Sequence, residues 1–260
     1  MIITLLSDLG TRDAAVPVAK AILMQHVPDA VVVDISHGVI HYDLQQAAYL
    51  LLAAYRSFAK GSVHILPVDV FAGDAPRILM AKKDGHFFIA PDNGILPLAF
   101  GNDLENTRLC FECSKPYQFN EWMNNAGSIA AAIEQGWVLP YRQCEVSIAP
   151  KPRRHQVTPF GVECNILYID RYKNVVLDIS RKQFEKIAAN RPFTLRIMRA
   201  PDITAISHHY NEVPDGEPLC RFNSAGYLEI AINHGQAATS MGLDGLDSTD
   251  LRYQAVRIFF

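Results

Sequence analysis

Residues 1–36 read MIITLLSDLGTRDAAVPVAKAILMQHVPDAVVVDIS, and this stretch decides the fold class. Two runs of aliphatic and β-branched residues, 2–7 and 31–35, are typical of buried strands. Residues 16–27 between them carry apolar side chains at helical spacing, until Pro28 ends the pattern. A strand, a helix and a second strand in this order predict a β-α-β unit, in which the two strands lie parallel in one sheet.

The same alternation continues through the first half of the chain. Asp43 is a candidate cap for a helix over residues 44–58, and three further strand patterns follow. Strands that are apolar throughout need cover on both faces, so we expect a largely parallel sheet flanked by helices, with ligands beyond the carboxyl ends of its strands. The further strands are predicted at residues 63–70, 77–82 and 86–90.

The sequence changes character around residues 137–159, where four prolines and a basic cluster interrupt both periodicities. We therefore predict an N-terminal domain over residues 1–140, a linker over 141–159 and a C-terminal domain over 160–260. Strand patterns dominate the C-terminal part, with one helix over residues 181–190. The predicted fold class is α/β, with a largely parallel N-terminal sheet flanked by helices and a smaller, mostly antiparallel β domain.

Composition and charge argue against several classes of protein. The chain has 260 residues, 49% of them hydrophobic and 20% charged, which is typical of a globular chain that needs no disulfide or metal to form a core. A net charge of −3 argues against nucleic-acid binding. No run approaches the ~20 apolar residues of a membrane span. The five cysteines are an odd number and predict reduced thiols, so we expect a cytoplasmic protein.

Two motifs have the spacing of metal or redox sites, and each has a structural alternative. Cys110 and Cys113 are separated by two residues, but without a second such pair we interpret them as structural thiols. His37 and His41 lie four residues apart, yet Gly38 stands between them in a predicted turn, which argues against a shared metal. The sequence also lacks glycine-rich phosphate loops and the Gly-x-Ser-x-Gly motif of esterases.

Acidic and amide side chains lie at the ends of three predicted strands. Asp8 and Asp13 follow the first strand, Asp69 lies near the end of the third, and Asp92 and Asn93 follow the fifth. Residues of these types at turns often serve only the backbone, through local hydrogen bonds. Three acidic turns at one edge of a sheet would also form a pocket for hydroxyl groups, ammonium groups or a cation.

These motifs, in this order, resemble one family, the S-adenosylmethionine hydrolases (hydroxide adenosyltransferases) and the related fluorinases and chlorinases. The resemblance runs over nearly the whole chain, and the family's Ala-Pro-Asp-Asn-Gly stands unchanged at residues 90–94. The five other matching motifs are Ser-Asp-Leu-Gly at 7–10 with Asp13, Asp-Ile-Ser-His at 34–37 with Asp43, Tyr-Ile-Asp at 168–170 with Asn174, Asn-Ser at 223–224 and Gly-Gln-Ala-Ala at 235–238.

The resemblance implies an adenosyl ligand and the residues that hold it. Asp8 corresponds to an acid that accepts hydrogen bonds from the ribose hydroxyls, and Asp13 to one that holds the methionine group, while the backbone near Ala237 faces adenine. A carboxylate can accept two hydroxyl donors, and a carboxylate beside neutral amides suits a zwitterion. The implied substrate-binding residues are Asp8, Asp13, Asn174, Asn223, Ser224 and Ala237.

The resemblance also implies an assembly and a reaction. The family is typically trimeric, so we expect a homotrimer with sites at subunit interfaces, and neither nucleic acid nor a membrane as partner. Water displaces methionine from the ribose 5′ carbon, and no cofactor or metal is expected because the sulfonium substrate already carries a good leaving group. Asp69 matches an acid that the hydrolases have and the halogenases lack, which favours a hydrolase. The expected catalytic residues are Asp69, Arg77 and Asn120.

The chain departs from the family pattern at this chemistry. Pro76 stands where the family has an arginine, so that only Arg77 remains, and Asn120 stands at the position of a histidine. Asparagine cannot titrate, and losing general acid-base help costs ~10²–10⁴-fold in rate. Two alternatives therefore stay open: a catalytically weak or inactive protein that binds S-adenosylmethionine or adenosine, and an enzyme with an altered substrate or nucleophile.

Overall fold

The computed structural model divides the chain into two units, Met1–Pro152 and Arg153–Phe260. The predicted linker over residues 141–159 lies for its greater part outside the described residues, and Gln156–Thr158 near its end form a strand. The structure describes residues 1–72, 76–101, 103–113, 115, 118–137, 154–197, 201–244 and 254–260.

Among the described residues, the first unit contains a six-stranded sheet with the strand order β2-β1-β3-β5-β4-β6. Its strands are β1 (Ile2–Leu6), β2 (Val31–Ser36), β3 (Val63–Ile65), β4 (Arg77–Lys83), β5 (His86–Pro91) and β6 (Glu105–Glu112). Its helices are α1 (Ala15–His26), α2 (Leu44–Ala54), α3 (Ile95–Phe100) and α4 (Phe119–Gln135). Strands β2, β1, β3 and β5 are parallel, and β4 and β6 extend the sheet in antiparallel fashion. The predicted largely parallel sheet with flanking helices is confirmed.

Local chemistry explains where these elements begin and end. The Asp43 side chain accepts a hydrogen bond from the Gln46 N–H and caps α2, as predicted. The strand predicted over residues 63–70 is shorter, because β3 ends at Ile65. Pro67 follows two residues later and has no N–H to donate to a neighbouring strand.

Apolar side chains cover both faces of this sheet. Leu23 of α1 and Trp122 of α4 pack on one face, and Leu51 of α2 and Phe100 of α3 pack on the other. Because both faces are covered, the loops beyond the carboxyl ends of the parallel strands are where functional side chains can gather. No helix within the described residues is long and apolar enough to cross a membrane.

The second unit is dominated by antiparallel strands, as the sequence predicts. Its strands are β7 (Gln156–Thr158), β8 (Gly161–Ile169), β9 (Val175–Ser180), β10 (Thr194–Arg196), β11 (Pro218–Phe222), β12 (Tyr227–Ile232) and β13 (Ala255–Phe259). They form the order β10-β13-β8-β9-β12-β11, with β7 paired to β8. In the part of this unit that the structure describes, two α-helices, α5 (Arg181–Ala188) and α6 (Ala237–Ser240), accompany them. The predicted helix over residues 181–190 is confirmed, and it ends where Ala189 adopts a left-handed conformation.

Candidate functional site

Asp8 lies just beyond the carboxyl end of β1 and is almost fully buried. Its Oδ2 accepts hydrogen bonds from the backbone N–H of Tyr42 at 3.1 Å and from that of Asp69 at 3.4 Å. Tyr42 follows β2 along the chain, and Asp69 follows β3. One carboxylate therefore joins the loops that follow three neighbouring parallel strands, which is where the strand order directs a ligand.

Asp69 occupies a strained position in this site. Its φ of 47° lies in the left-handed region, which residues other than glycine rarely adopt and which costs on the order of 1–3 kcal/mol. The Asn93 side chain, at the start of α3, stabilises this conformation by donating to the carbonyls of Val68 at 2.9 Å and of Asp69 at 3.1 Å. Backbone strain of this kind is concentrated at functional sites.

The surroundings of Asp69 make its carboxylate a stronger base than an ordinary one. Burial raises the pKa of Asp69, and the nearby negative charge of Asp8 raises it further. Both effects disfavour the charged form, so a proton on Asp69 is held more tightly than on an exposed aspartate. A carboxylate with a raised pKa is suited to accept a proton from water.

Arg77, the first residue of β4, forms an ion pair with Asp92, which follows β5. The Asp92 side chain is buried, whereas that of Arg77 is partly exposed. The antiparallel register of β4 and β5 places the start of β4 beside the end of β5, since Ile78 lies opposite Pro91. Within the described residues no hydrogen bond joins Arg77 to Asp69, so the structure brings Arg77 to Asp92 and not directly to Asp69.

Asn120 lies in the first turn of α4, and its side chain is exposed. Its carbonyl accepts a hydrogen bond from the side chain of Asn124 at 2.8 Å. No hydrogen bond among the described residues links Asn120 to Asp69 or Arg77. Pro76 is buried, and its carbonyl accepts the N–H of Cys113 at 2.9 Å, which holds the start of β4 against the end of β6.

Asp13 is exposed and serves the backbone in this structure. Its Oδ1 accepts a hydrogen bond from the N–H of Ala15 at 3.0 Å, at the start of α1. This is the local turn contact that a short acidic side chain makes with the N–H two residues later. The described contacts do not connect Asp13 to Asp8 by a hydrogen bond.

In the second unit, Asn174 is buried in the turn between β8 and β9. Its backbone N–H and its side-chain amide donate to the two oxygens of Asp170, at 2.8 and 3.0 Å. The carbonyl of Lys173 in the same turn accepts the N–H of Ala238 at 2.9 Å. This bond holds the start of α6, and with it the buried Ala237, against the Asn174 turn.

Asn223 and Ser224 lie in the turn between β11 and β12. The Asn223 Oδ1 accepts the N–H groups of Ala225 and Tyr227, at 3.0 and 3.1 Å, and so fixes the turn. Ser224 is exposed at its tip. The Asn223 side chain thus serves the backbone of this turn, whereas the Ser224 side chain lies at the exposed tip.

A buried glutamate that the sequence analysis did not include lies beside the Asn223 turn. Glu229 of β12 accepts a hydrogen bond from the Tyr210 hydroxyl at 2.8 Å and another from the Asn223 side chain. Burial raises the pKa of Glu229, and the negative charge of Asp170 adds to this effect. The pKa of Tyr210 rises to about 12, chiefly through burial and its bond to Glu229. A lone acid within the apolar run Tyr227–Ile232 is the signal that could have identified Glu229.

The structure gives no support to a metal site within its described part. No cluster of three or more histidine, cysteine, aspartate or glutamate side chains there is arranged to hold a metal ion. Cys110 and Cys113 are free thiols, and Cys110 lies within β6. His208 and His209 are exposed.

Comparisons with known proteins cover both units. Residues 3–126 match the family model for the SAM hydroxide adenosyltransferase N-terminal domain, and residues 164–249 match the model for the C-terminal domain. An (R)-S-adenosyl-L-methionine hydrolase from Thermus thermophilus is 29% identical over 254 residues, which is 92% of this chain and 94% of that protein. A fluorinase from Actinoplanes sp. is 24% identical, over 89% of this chain and 91% of its own length. The crystal structure of an uncharacterized conserved protein from Thermotoga maritima has a TM-score of 0.82 at 25% identity, covering 100% of both chains.

Proposed function

Because the chain belongs to the S-adenosylmethionine hydroxide adenosyltransferase family, we propose that it hydrolyses S-adenosylmethionine to adenosine and methionine. The oxygen of a water molecule attacks the ribose 5′ carbon, and the bond from this carbon to the sulfonium sulfur breaks. The electron pair of that bond stays on sulfur, so methionine leaves as a neutral thioether. The water loses one proton, and we assign Asp69 as the group that accepts it.

The observation that carries this proposal is the environment of Asp69. Its raised pKa makes it a better proton acceptor than an exposed aspartate, and its strained backbone is held by Asn93 and by Asp8. A halide ion needs no deprotonation, so an enzyme that uses halide has no need of a base at this position. Asp69 therefore favours water over halide as the nucleophile.

We assign the ribose hydroxyls to Asp8. Both hydrogen bonds described for Asp8 go to Oδ2, from Tyr42 and Asp69, and the other oxygen takes none from the described residues. A carboxylate oxygen on a preorganised, buried aspartate is well suited to accept hydroxyl donors. The methionine and adenine groups are assigned, by family resemblance, to Asp13 and to the second-unit residues Asn174, Asn223, Ser224 and Ala237.

Arg77 and Asn120 are proposed to act on the water less directly than Asp69. The Arg77 charge is engaged by Asp92, and Asn120 can donate or accept a hydrogen bond but cannot take a proton. The matching family models and hydrolase relatives favour an active enzyme over an inactive binding protein. Slow turnover is compatible with the replacement of the family's histidine by Asn120.

We propose that the reaction uses neither cofactor nor metal, because a sulfonium leaving group needs no electrophilic activation. Dialysis against a chelator is expected to leave adenosine release unchanged. A loss of activity that an added divalent metal restores would contradict this part of the proposal. The proposed compartment is the cytoplasm, for which the odd number of cysteines is the support.

We propose a homotrimer in which the first unit of one subunit and the second unit of its neighbour share each ligand. Two observations support this proposal: the family resemblance, and the different ligand-binding groups that the two units carry. Acidic groups suited to ribose and water lie in the first unit, and amide and hydroxyl groups suited to methionine lie in the second. In a closed cyclic trimer, each of the three sites would receive the first unit of one subunit and the second unit of its neighbour.

The hydrolase proposal is tested by following adenosine release from S-adenosylmethionine, by chromatography over several hours. The wild-type protein should release adenosine, and Asp69→Asn should release none above the uncatalysed rate, because an amide cannot accept the proton of the water. Calorimetry with adenosine should show that Asp69→Asn still binds ligand. An active Asp69→Asn variant would show that the proton acceptor is wrongly assigned, and an inactive wild type that binds ligand would favour the binding-protein alternative.

A further inference from the structure

A serine, a histidine, an aspartate and a lysine form a chain of contacts next to the turn that carries Asp8. Ser7 Oγ lies 2.7 Å from His37 Nδ1, and His37 Nε2 lies 3.0 Å from Asp34 Oδ1. The other oxygen of Asp34 accepts a hydrogen bond from Lys20 Nζ at 2.6 Å. These four residues, here called the Ser7 network, connect the ends of β1 and β2 to helix α1.

The Ser7 network has the residue types of a serine hydrolase triad, but it cannot act as one. Ser7 has no exposed surface, and a nucleophile must reach its substrate. His37 is also buried, with only 6% of its surface exposed. The function of these residues must therefore be exerted through their neighbours in the fold.

The hydrogen-bond partners determine where the protons of the Ser7 network lie. Ser7 Oγ accepts the N–H of Leu9 at 3.4 Å, so its own hydrogen is best donated to Nδ1 of His37. Nε2 of His37 then carries its hydrogen and lies 3.0 Å from Asp34 Oδ1, off the line of a well-formed hydrogen bond. Burial opposes ionisation of Asp34, but Lys20 and His37 outweigh it and lower its pKa, so Asp34 stays charged.

His37 holds the chain on both sides of Asp8. Its side chain holds Ser7, the residue before Asp8, and its carbonyl accepts the N–H of Gly10 at 2.8 Å, two residues after Asp8. The N–H of Ser7 also donates to the carbonyl of Ser36, at 2.9 Å. Gly10 adopts a φ of 70°, which lets the chain turn sharply between these two anchors. The position of the Asp8 carboxylate thus depends on the contacts of His37 with Ser7 and Gly10, which are not contacts with the ligand.

We propose that the Ser7 network is the positioning device of Asp8 and sets the affinity for the ribose part of the ligand. This inference rests on the proposed function, since it assumes that Asp8 binds the ribose hydroxyls. Asp8 holds these hydroxyls equally in the ground state and in the transition state. Disturbing its position should therefore raise the KM for S-adenosylmethionine and the Kd for adenosine by a larger factor than it lowers kcat, which it reaches only through the contact between Asp8 and the Asp69 N–H.

The direct test compares Ser7→Ala with Ser7→Thr and with a matched control, Thr4→Val. Thr4 lies on β1, three residues before Ser7, is equally buried, and makes the same kind of contact, 2.7 Å from its Oγ1 to Nδ1 of His64. We expect Ser7→Ala to raise the adenosine Kd and the KM about tenfold, and Ser7→Thr, which keeps the hydroxyl, to restore most of the affinity. Thr4→Val should lower the melting temperature and leave Kd unchanged. An equal loss of affinity in Thr4→Val, or no loss in Ser7→Ala, would overturn the proposal.

If Ser7→Ala does not fold, two substitutions of His37 compare a variant that keeps the contact with Ser7 and one that loses it. His37→Asn keeps an acceptor near the Nδ1 position that faces Ser7, whereas the amide of His37→Gln reaches the Nε2 position instead. We expect His37→Asn to bind adenosine more tightly than His37→Gln. The reverse order would show that the contact with Ser7 does not set the affinity.

A double-mutant cycle with Asp8→Ala separates this inference from the proposed function. If the Ser7 network acts through Asp8, then Ser7→Ala should cause no further loss of affinity in the Asp8→Ala background. Additive losses would mean that Ser7 acts on binding by another route and would overturn the inference alone. Wild-type affinity in the single Asp8→Ala variant would instead overturn the assignment of the ribose hydroxyls to Asp8.

Discussion

At the scale of single residues, ligand affinity depends on Asp8, whose carboxylate is buried at the ends of three neighbouring strands. We expect Asp8→Ala to weaken adenosine binding by more than ~1.5 kcal/mol, the low end for hydrogen bonds to a charged group. Isothermal titration calorimetry measures this loss. Asp13→Ala is a useful comparison, because Asp13 is exposed and bonds the N–H of Ala15 at the start of α1, so its effect on adenosine should be smaller. Similar losses for both would contradict the separate roles assigned to them.

A substitution of Asn120 should increase the rate of catalysis. We expect Asn120→His, combined with Pro76→Arg, to raise adenosine release about tenfold or more, since a titratable group near the water restores acid-base help. Adenosine affinity should stay within about threefold of wild type, as these groups are proposed to act on the water. The hydrogen bond from the Cys113 N–H to the carbonyl of residue 76 does not depend on the side chain, so the substitution at this position can retain it.

The single Asn120→His variant is the control for the double one, because removing the proline also frees the backbone at residue 76. Initial rates of adenosine release and calorimetric Kd values for the two variants and the wild type give the answer. Unchanged rates in both variants, with ligand binding intact, would show that neither position faces the water.

At the scale of elements, β3 and β5 bury two histidines in contact. Nε2 of His64 in β3 lies 3.1 Å from Nδ1 of His86 in β5. The other ring nitrogen of His64 contacts the Thr4 hydroxyl. Burial lowers the pKa of His64 to about 3, and the proximity of His86 contributes. Burial also lowers the pKa of His86. The folded protein therefore holds His64 neutral under conditions in which an unfolded chain would protonate it.

This pair should make the first unit less stable in acid. Between pH about 6.5, where an unfolded histidine titrates, and the folded pKa of about 3, the unfolded state binds a proton that folded His64 does not. The free energy of unfolding should therefore fall with decreasing pH, by about 1.4 kcal/mol per pH unit for this proton. Denaturant midpoints across this range, compared with His64→Gln, isolate the effect from that of the carboxylates. An identical pH dependence in the variant would contradict it.

The order of elements could be predicted from the sequence more fully than their ends. The β-α-β pattern of residues 2–35 gives β1, α1 and β2, because apolar periodicity differs between strands and helices. The early end of β3 could not be predicted from periodicity, since Leu66, Val68 and Val70 keep an apolar strand pattern although β3 ends at Ile65.

The candidate site shows the same limit. Asp8 and Asp69 could be identified because each follows a strand, and the parallel order brings such ends together. The ion pair between Arg77 and Asp92 depends instead on the antiparallel register of β4 and β5, which a sequence does not specify by itself. The contact between Ser7 and His37 requires the loops after β1 and β2 to meet, so neither residue alone signals it.

At the scale of the whole molecule, shared sites predict complementation between two defective proteins. In a mixed trimer of Asp8→Ala and Asn174→Ala subunits, some interfaces would join an intact Asp8 to Asn174 of the partner subunit. At a substrate concentration well below the KM of either variant, co-expression should therefore give more adenosine release than either variant shows alone. Light scattering of the wild type should give three times the 29.0 kDa chain mass. A monomer mass with ligand binding intact, or no such gain in the mixed trimer, would contradict the shared site.

The reaction itself can be tested by running it in water labelled with the heavy isotope of oxygen. Attack of water at the ribose 5′ carbon places the label in the 5′ hydroxyl of the released adenosine, where mass spectrometry detects it. The account predicts labelled adenosine and unlabelled methionine in equal amounts, and neither product from Asp69→Asn. Adenosine without the label, or no cleavage of S-adenosylmethionine by the wild type, would contradict it.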